Sequence, residues 1–395
     1  MTFDPADAAF LDDPYPVFAG LRARGPVHRH DGLGLPVAVS HAACAEVLRD
    51  RAVGRVWRDR EPAAAFPAFN LLHRNSLLEM EPPRHTRLRR LVSAAFNRGH
   101  TARLTPWVRS VADGLVDRLA AAIAADGSAD LMAHVAAVLP VEVIAELLGV
   151  PAADRPHLTT WSHAIVKMYE YGLPPERAAA AERAAGEFAD FLTALAADRA
   201  RRPGDDLISD LVAVRDAGDR LSSDELVGTA VLLLMAGHEA TVNVVGNGVL
   251  ALLCHRDQWD RLVADPGLLP TAVEELIRYD APLQLFERTA TAPVTVAGHR
   301  LEPGERIAAL LGAAGRDPAV FAAPDTLDIG RAPNPHLGFG AGIHYCVGAP
   351  LARAEIAAAL GALATRLPGL RLAGEPVRRP EFVIRGLRSL PVTAG

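Results

Sequence analysis

The chain has 395 residues, half of them hydrophobic, and sets 41 Lys and Arg against 47 Asp and Glu for a net charge of −6. So mild an imbalance gives no reason to expect nucleic acid, and three cysteines in a chain of this length argue against a disulfide framework. No run of about twenty apolar residues free of charge occurs, and Met1 to Asp7 lacks the basic flank and apolar stretch of a secretion signal. The expectation is one cytoplasmic, monomeric domain over residues 1–395 without membrane contact. No internal repeat or low-complexity linker interrupts it.

In chain order, Asp13-Pro14-Tyr15-Pro16 starts a short helix ending near Arg24-Gly25-Pro26. Residues 27–40, with Asp31-Gly32-Leu33-Gly34 at the turn, read as a hairpin before a helix over 41–49. Residues 51–78 are irregular, with Pro62, Pro67 and scattered aromatics, and so long a loop inside a compact body is usually functional. Pro82-Pro83 opens a helix to about Phe96, on which His85 and Arg89 share one face while Arg87 and Arg90 point roughly the other way. Helices follow over 106–126, 131–149, 155–170, 176–200 and 206–215, and the break from Tyr169 to Pro175 suits a hinge or lid.

Leu221-Ser222-Ser223-Asp224-Glu225 is a helix start, and the apolar run to Cys254 gives about 45 Å of helix, apolar nearly all round and therefore buried. Within it lies Ala236-Gly237-His238-Glu239-Ala240-Thr241. Its glycine costs about 1 kcal/mol relative to alanine and asks for a packing reason, such as room for a ligand against the helix. A helix over 268–279 carries Glu275 and Arg278 as an i,i+3 pair. Residues 282–312 alternate as strands, 315–330 form a Pro- and Asp-rich meander, and 351–367 is a helix. Terminal strands over 376–392 have a tip near Arg385-Gly386-Leu387. The fold class is mainly α with small β-sheets.

The stretch from His336 to Pro350 carries the chemistry. Gly338, Gly340 and Gly342 permit backbone angles closed to other residues and the approach of a flat ligand, and Cys346 precedes an alanine-rich helical run. A sulfur near a helix N-terminus is stabilised as thiolate, which is a metal ligand or a nucleophile. No Lys-Ser/Thr follows the glycines, which weighs against phosphate binding, and Cys44 and Cys254 read as filler.

Phe339, Gly340, Gly342, His344, Cys346 and Gly348 together resemble the haem-ligand loop of the cytochrome P450 superfamily, and the resemblance extends through five motifs over essentially the whole chain. It implies haem b with Cys346 as axial thiolate, lying between the long central helix and the cysteine loop and its following helix. His85, Arg89, Arg288 and His344 would then meet the propionates. Met235, Ala236, Leu283, Leu285 and Phe286 would line the substrate pocket, residues 51–78 would roof it, and Glu275, Arg278 and Arg331 would hold the scaffold. Glu239 matches the acid of a proton relay, but the hydroxyl that usually follows is missing: Ala240 occupies that position and Thr241 is 100° further round. Ordered water or a substrate hydroxyl is expected to fill the gap. Gly315 and Leu327 depart from the usual asparagine and phenylalanine.

The activity implied is hydroxylation or epoxidation of an apolar small molecule with O2, as a tailoring step on a polyketide, macrolide, peptide or terpenoid. No flavin or nicotinamide motif is visible, so a ferredoxin and ferredoxin reductase would supply electrons, docking on Arg87, Arg90, Arg98 and Arg353. The alternatives are an oxidase that couples, closes rings or desaturates, and a non-catalytic haem sensor.

Overall fold

Residues 3–96, 100–216 and 221–395 are described by a computed structural model of the chain. Chain contacts divide it into two units, the first formed by Met1–Gly54, Val108–Leu139 and Ala240–Gly395, the second by Arg55–Trp107 and Pro140–Glu239.

In the first unit the expected hairpin forms, with Val27–His30 antiparallel to Leu35–Ala38 and Gly34 taking φ +70 at the turn. Leu35–Ala38, buried along its whole length, pairs in parallel with Arg306–Leu310. That strand pairs antiparallel with Leu285–Ala290, and Val53–Gly54 closes the five-stranded sheet at its edge. Ser40 caps the helix His41–Arg49 by accepting a hydrogen bond from the Ala43 N–H, and its apolar face packs Cys44, Val47 and Leu48 against Ile307 and Ala309. The stretch after Arg306–Leu310 departs from expectation, turning into the short helix Leu311–Gly315.

The long helix is Ser223–Cys254. Its start is a reciprocal capping box: the Glu225 N–H donates to Ser222 Oγ and the Ser222 N–H to the Glu225 carboxylate, each at 3.1 Å. In length and composition it could cross a membrane, with a mean hydropathy of 1.3 over 18 residues, yet 78% of that window is buried inside the protein. It is a core helix. Its glycines are contact points: a Cβ on Gly248 would stand 2.9 Å from Leu276, and one on Gly246 2.6 Å from the Met132 sulfur.

In the second unit the structure corrects two expectations. The stretch 51–78 is not irregular throughout, because Pro67–Arg74 is a helix whose first N–H groups, those of Ala68 and Phe69, donate to the Glu182 carboxylate at 2.8 and 2.9 Å. Gly237 leaves room for a side chain rather than a ligand: a Cβ there would lie 2.7 Å from both Cγ1 and Cδ1 of Ile144, on the helix Leu139–Leu148. The expected helix over 131–149 begins with a π-turn, Met132–Ala136, before Leu139–Leu148. The helices Arg155–Val166, Pro175–Arg201 and Leu207–Asp216 stand close to the expected bounds. Between the first two, Tyr169 donates to His73 Nε2 at 2.8 Å, and His73 in turn donates through Nδ1 to the Phe69 carbonyl. Burial lowers the His73 pKa and keeps the ring neutral, so the break at 169–175 is fastened to Pro67–Arg74.

Candidate functional site

The cysteine loop is built by its glycines. Gly340 and Gly342 take φ +70 and +69, and a Cβ on Gly342 would lie 2.5 Å from the Leu48 carbonyl oxygen, so no larger residue fits. The reversal lets the Cys346 N–H donate to the Phe339 carbonyl at 2.9 Å and delivers the half-buried sulfur three residues before the helix Ala349–Arg366. His336 braces the start, accepting at Nδ1 from the Gly338 N–H and meeting Glu274 through Nε2 at 3.0 Å. Glu274 also accepts from Arg353, whose guanidinium lies 4.4 Å from the centre of the Phe339 ring. These partners hold the Glu274 carboxyl down at about 2 against the opposing cost of its burial. Cys44 is different: buried, it donates to the Ala38 carbonyl, and desolvation pushes its thiol well up.

Among the described residues no group of three or more His, Cys, Asp or Glu side chains is placed to hold a bare metal ion. One thiolate suits a metal that arrives with its other donors attached.

Behind the loop the structure brings Glu275, Arg278 and Arg331 together. Glu275 receives Nε and Nη2 of Arg278 at 2.7 Å, Nε of Arg331 at 3.1 Å, and the Asn334 amide at 3.1 Å. The side chains of Glu275 and Arg278 are fully buried. Arg278 also donates to the Gly315 carbonyl at 2.7 Å, and a Cβ on Gly315 would stand 2.7 Å from the Arg278 carbonyl oxygen. Glycine at 315 is therefore a fit, and Leu327 is buried.

On the long helix burial lapses at Leu232, Ala236, Gly237 and Ala240, of which Leu232, Ala236 and Ala240 recur at i, i+4 and i+8. Ala236 is exposed and Ala240 half-buried, while Met235, Glu239 and Thr241 are buried. Glu239 does not point at the open stripe. Its Oε1 lies 3.1 Å from Nε2 of His163, on the helix Arg155–Val166, and 3.6 Å from Nε2 of His238. His238 donates through Nδ1 to the Leu234 carbonyl at 2.8 Å, which places its proton there.

The nominated cations sit on the elements expected. His85 is buried and Arg89 half-buried one turn apart on Arg84–Phe96, whereas Arg87 turns away to a buried Glu225, whose carboxyl it holds low despite desolvation. Arg288 is buried on Leu285–Ala290, with its guanidinium 5.5 Å from the centre of the Phe286 ring and a bond to the Glu287 carbonyl. His344 ends the short turn Gly342–His344. Leu285 and Phe286 are strand neighbours and stand on opposite faces, so they do not share one pocket wall. Leu283 bridges to Ile384.

Arg385 donates to Asp280 at 2.7 Å and to the Asp12 carbonyl at 2.6 Å, and Gly386 presses on Asn243 of the long helix. A cavity of 660 Å³ nearby is lined by Tyr15, Asn247, Cys254, Asp280 and Arg378 among others, and by none of the nominated residues. The residue that sequence reasoning missed is His163. A histidine in an amphipathic helix carries no local signal, and only the folded contact with Glu239 reveals it.

The sequence pattern of the family described as Cytochrome P450 matches residues 36–367. Cytochrome P450 monooxygenase PikC of Streptomyces venezuelae is 42% identical over 391 residues, 97% of this chain and 91% of that protein. Polyketide biosynthesis cytochrome P450 PksS of Bacillus subtilis (strain 168) is 36% identical over 411 residues, covering 100% of this chain and 98% of that one. Among solved structures, P450BioI in complex with hexadec-9Z-enoic acid ligated acyl carrier protein superposes with a TM-score of 0.92 at 34% identity. That match covers 98% of this chain and 100% of the other.

Proposed function

The chain belongs to the cytochrome P450 family and is a monooxygenase of it, and on that premise we propose that Cys346 is the axial thiolate of a haem b. In this reading the enzyme hydroxylates or epoxidises an apolar small molecule of secondary metabolism. The observation that carries it is the half-buried Cys346 thiol in a loop closed by two left-handed glycines, with no competing set of metal ligands among the described residues.

Haem, when bound, supplies the activation of O2, and thiolate ligation favours cleavage of the O–O bond. The chain's own residues do the rest. Cys346 is fixed by its backbone bond to Phe339, and Phe339 and Gly340 would lie against the haem. His85, Arg89, Arg288 and His344 offer positive charge to two propionates. Met235 and Ala236 of the long helix, with Leu283 and either Leu285 or Phe286, keep water from an apolar substrate. Glu239 moves protons, Ala240 leaves its stripe open, and Thr241, buried 100° away, does not replace the absent hydroxyl. The polyketide role in the name of one relative favours a polyketide-like substrate.

Electrons come from a redox partner, here a ferredoxin reduced by its reductase, acting on a monomer. Of the four arginines expected to dock it, Arg87 is compensated by Glu225 and Arg353 by Glu274, Arg90 is exposed, and Arg98 lies outside the described residues. Docking by charge alone therefore rests on less than the sequence suggested.

The test is the absorption spectrum of the reduced protein with carbon monoxide, for wild type and Cys346→Ala. A strongly red-shifted Soret band lost in the variant supports the thiolate assignment; the same spectrum in both removes it. Ala240 also favours a second reading, an oxidase that couples, closes rings or desaturates, because such reactions need not follow the usual relay. Labelled O2 separates the two, since only the monooxygenase leaves an oxygen atom in the product.

A further inference from the structure

We infer that the cavity between the helix Tyr15–Arg22 and the C-terminal end of the long helix is a binding site for a small zwitterion, an α-amino acid in its simplest form, held by Arg378 and Asn247. None of the residues nominated for haem or substrate lines it, so the inference stands apart from the monooxygenase reading.

Three observations carry it. First, Asn247 lines the 660 Å³ cavity at 1% exposure, and its Oδ1 has no hydrogen-bond partner in the chain. Its Nδ2 donates to the carbonyls of Arg385 and Asp280 at 3.2 and 3.4 Å. Both partners are acceptors, which fixes the orientation of the amide and leaves the oxygen as the end that asks for a donor. Second, the Arg378 side chain is 21% exposed while its Nη1 is buried without an acceptor. Its ion pairs to Asp12 and Asp280 stand at 3.5 and 3.6 Å, longer than a direct charge-assisted bond. Third, the two groups converge on one residue, because Asn247 meets the Asp280 carbonyl and Arg378 faces the Asp280 carboxylate. Asp280 Oδ1 is already taken by the Tyr15 hydroxyl and Arg385 Nε, each at 2.7 Å.

The two groups together select the ligand. A guanidinium nitrogen is met best by a carboxylate, and an amide oxygen needs an N–H or O–H. A simple carboxylate serves only Arg378 and a simple amine only Asn247. The exposed Asp12 and Asp13 in the same wall, moreover, oppose a ligand of net negative charge. Carboxylate and ammonium on one carbon serve both with no net charge. Leu250 and Ala251, also in the wall, suit an apolar side chain, which makes L-leucine the probe.

Cys254 lines the same cavity and reports on it. It is exposed, and while burial of part of its surroundings pushes its thiol up, the Arg378 charge opposes that shift, so the two side chains are neighbours. The measurement is the rate at which iodoacetamide alkylates Cys254 in the haem-loaded enzyme, followed by mass spectrometry of that peptide against L-leucine concentration. Amines also ligate haem iron, and a readout local to the cavity is blind to that. At ten times the midpoint concentration alkylation slows about 10-fold. Isocaproate, which lacks the ammonium, and isoamylamine, which lacks the carboxylate, each need about 10-fold or more higher concentration for the same protection. Arg378→Gln abolishes the preference for L-leucine over isoamylamine, whereas Arg300→Gln, on an exposed hairpin, leaves it intact.

Absence of protection by L-leucine at its solubility limit overturns the inference and leaves the cavity to water. Equal protection by isoamylamine in wild type overturns it as well, since the acids alone would then be recruiting an amine. The series of analogues on wild type decides even where a variant does not fold, and an unchanged haem spectrum in both variants separates a lost site from a lost fold.

Discussion

Glu275→Gln removes one charge from the middle of a buried set and keeps the side chain's size. One of the two oxygens becomes an amide NH2, so Arg278, fully buried, loses one of its two bonds of 2.7 Å, and where Oε2 is the atom replaced Asn334 loses its acceptor at 3.1 Å while Arg331 keeps the other oxygen. The Asp328 N–H loses a charged partner as well. Breaking a buried pair from one side costs about 3–5 kcal/mol, because the remaining charge stays desolvated. Arg278 keeps its bonds to the carbonyls of Gly315 and Pro324, at 2.7 and 2.8 Å, which puts the expected cost at the lower end, about 3 kcal/mol. For a chain of this length the unfolding entropy is about 0.8 kcal/mol/K, so the midpoint falls by about 4 °C. Calorimetry on the loaded enzyme reads it. A melting curve superposable on wild type would mean that the carboxylate's desolvation cancels all it gains from its partners, and the ion set would be no stabiliser.

Two further predictions concern packing and acidity. Gly237→Ala places a methyl 2.7 Å from Ile144 Cγ1 and Cδ1; overpacking of about 1–3 kcal/mol outweighs the helix gain of about 1 kcal/mol, so the variant is less stable in urea. In an Ile144→Ala background the same change becomes stabilising, and persistence of the original sign would discount the contact. Glu355 is buried on Ala349–Arg366 with no partner for Oε2, and desolvation raises its carboxyl well above the ordinary range. The folded state thus holds a proton the unfolded chain gives up, so Glu355 contributes least to stability once pH has risen through the raised value. Glu355→Gln removes that slope, and its stability relative to wild type is greater at pH 8 than at pH 5; an equal difference at both would refute the burial argument.

The sequence made the helical body legible because the signals are local. A capping box at Ser222 and an apolar run to Cys254 dictate a long buried helix wherever the rest of the chain lies, and glycines at 340 and 342 announce a backbone reversal. The Glu275, Arg278 and Arg331 set came from the resemblance instead, because an i,i+3 pair by itself marks any solvated helix face. What local pattern could not supply was direction. Gly237 reads as space, and only the fold shows Ile144 filling it. Residues 51–78 read as loop because Pro67 and the aromatics masked a short helix whose cap, Glu182, is more than a hundred residues away.

The same limit explains the relay. A helix of 3.6 residues per turn cannot place residues 239, 240 and 241 on one face, so moving the hydroxyl from 240 to 241 removes it from the site whatever the composition suggests. The carboxylate at 239 is buried beside the open stripe of Ala236 and Ala240, which leaves the gap for ordered water or a substrate hydroxyl to fill. Restoring the hydroxyl with Ala240→Thr should therefore leave turnover and the yield of peroxide unchanged, because ordered water or a substrate hydroxyl already fills the gap; faster turnover with less peroxide would refute that account.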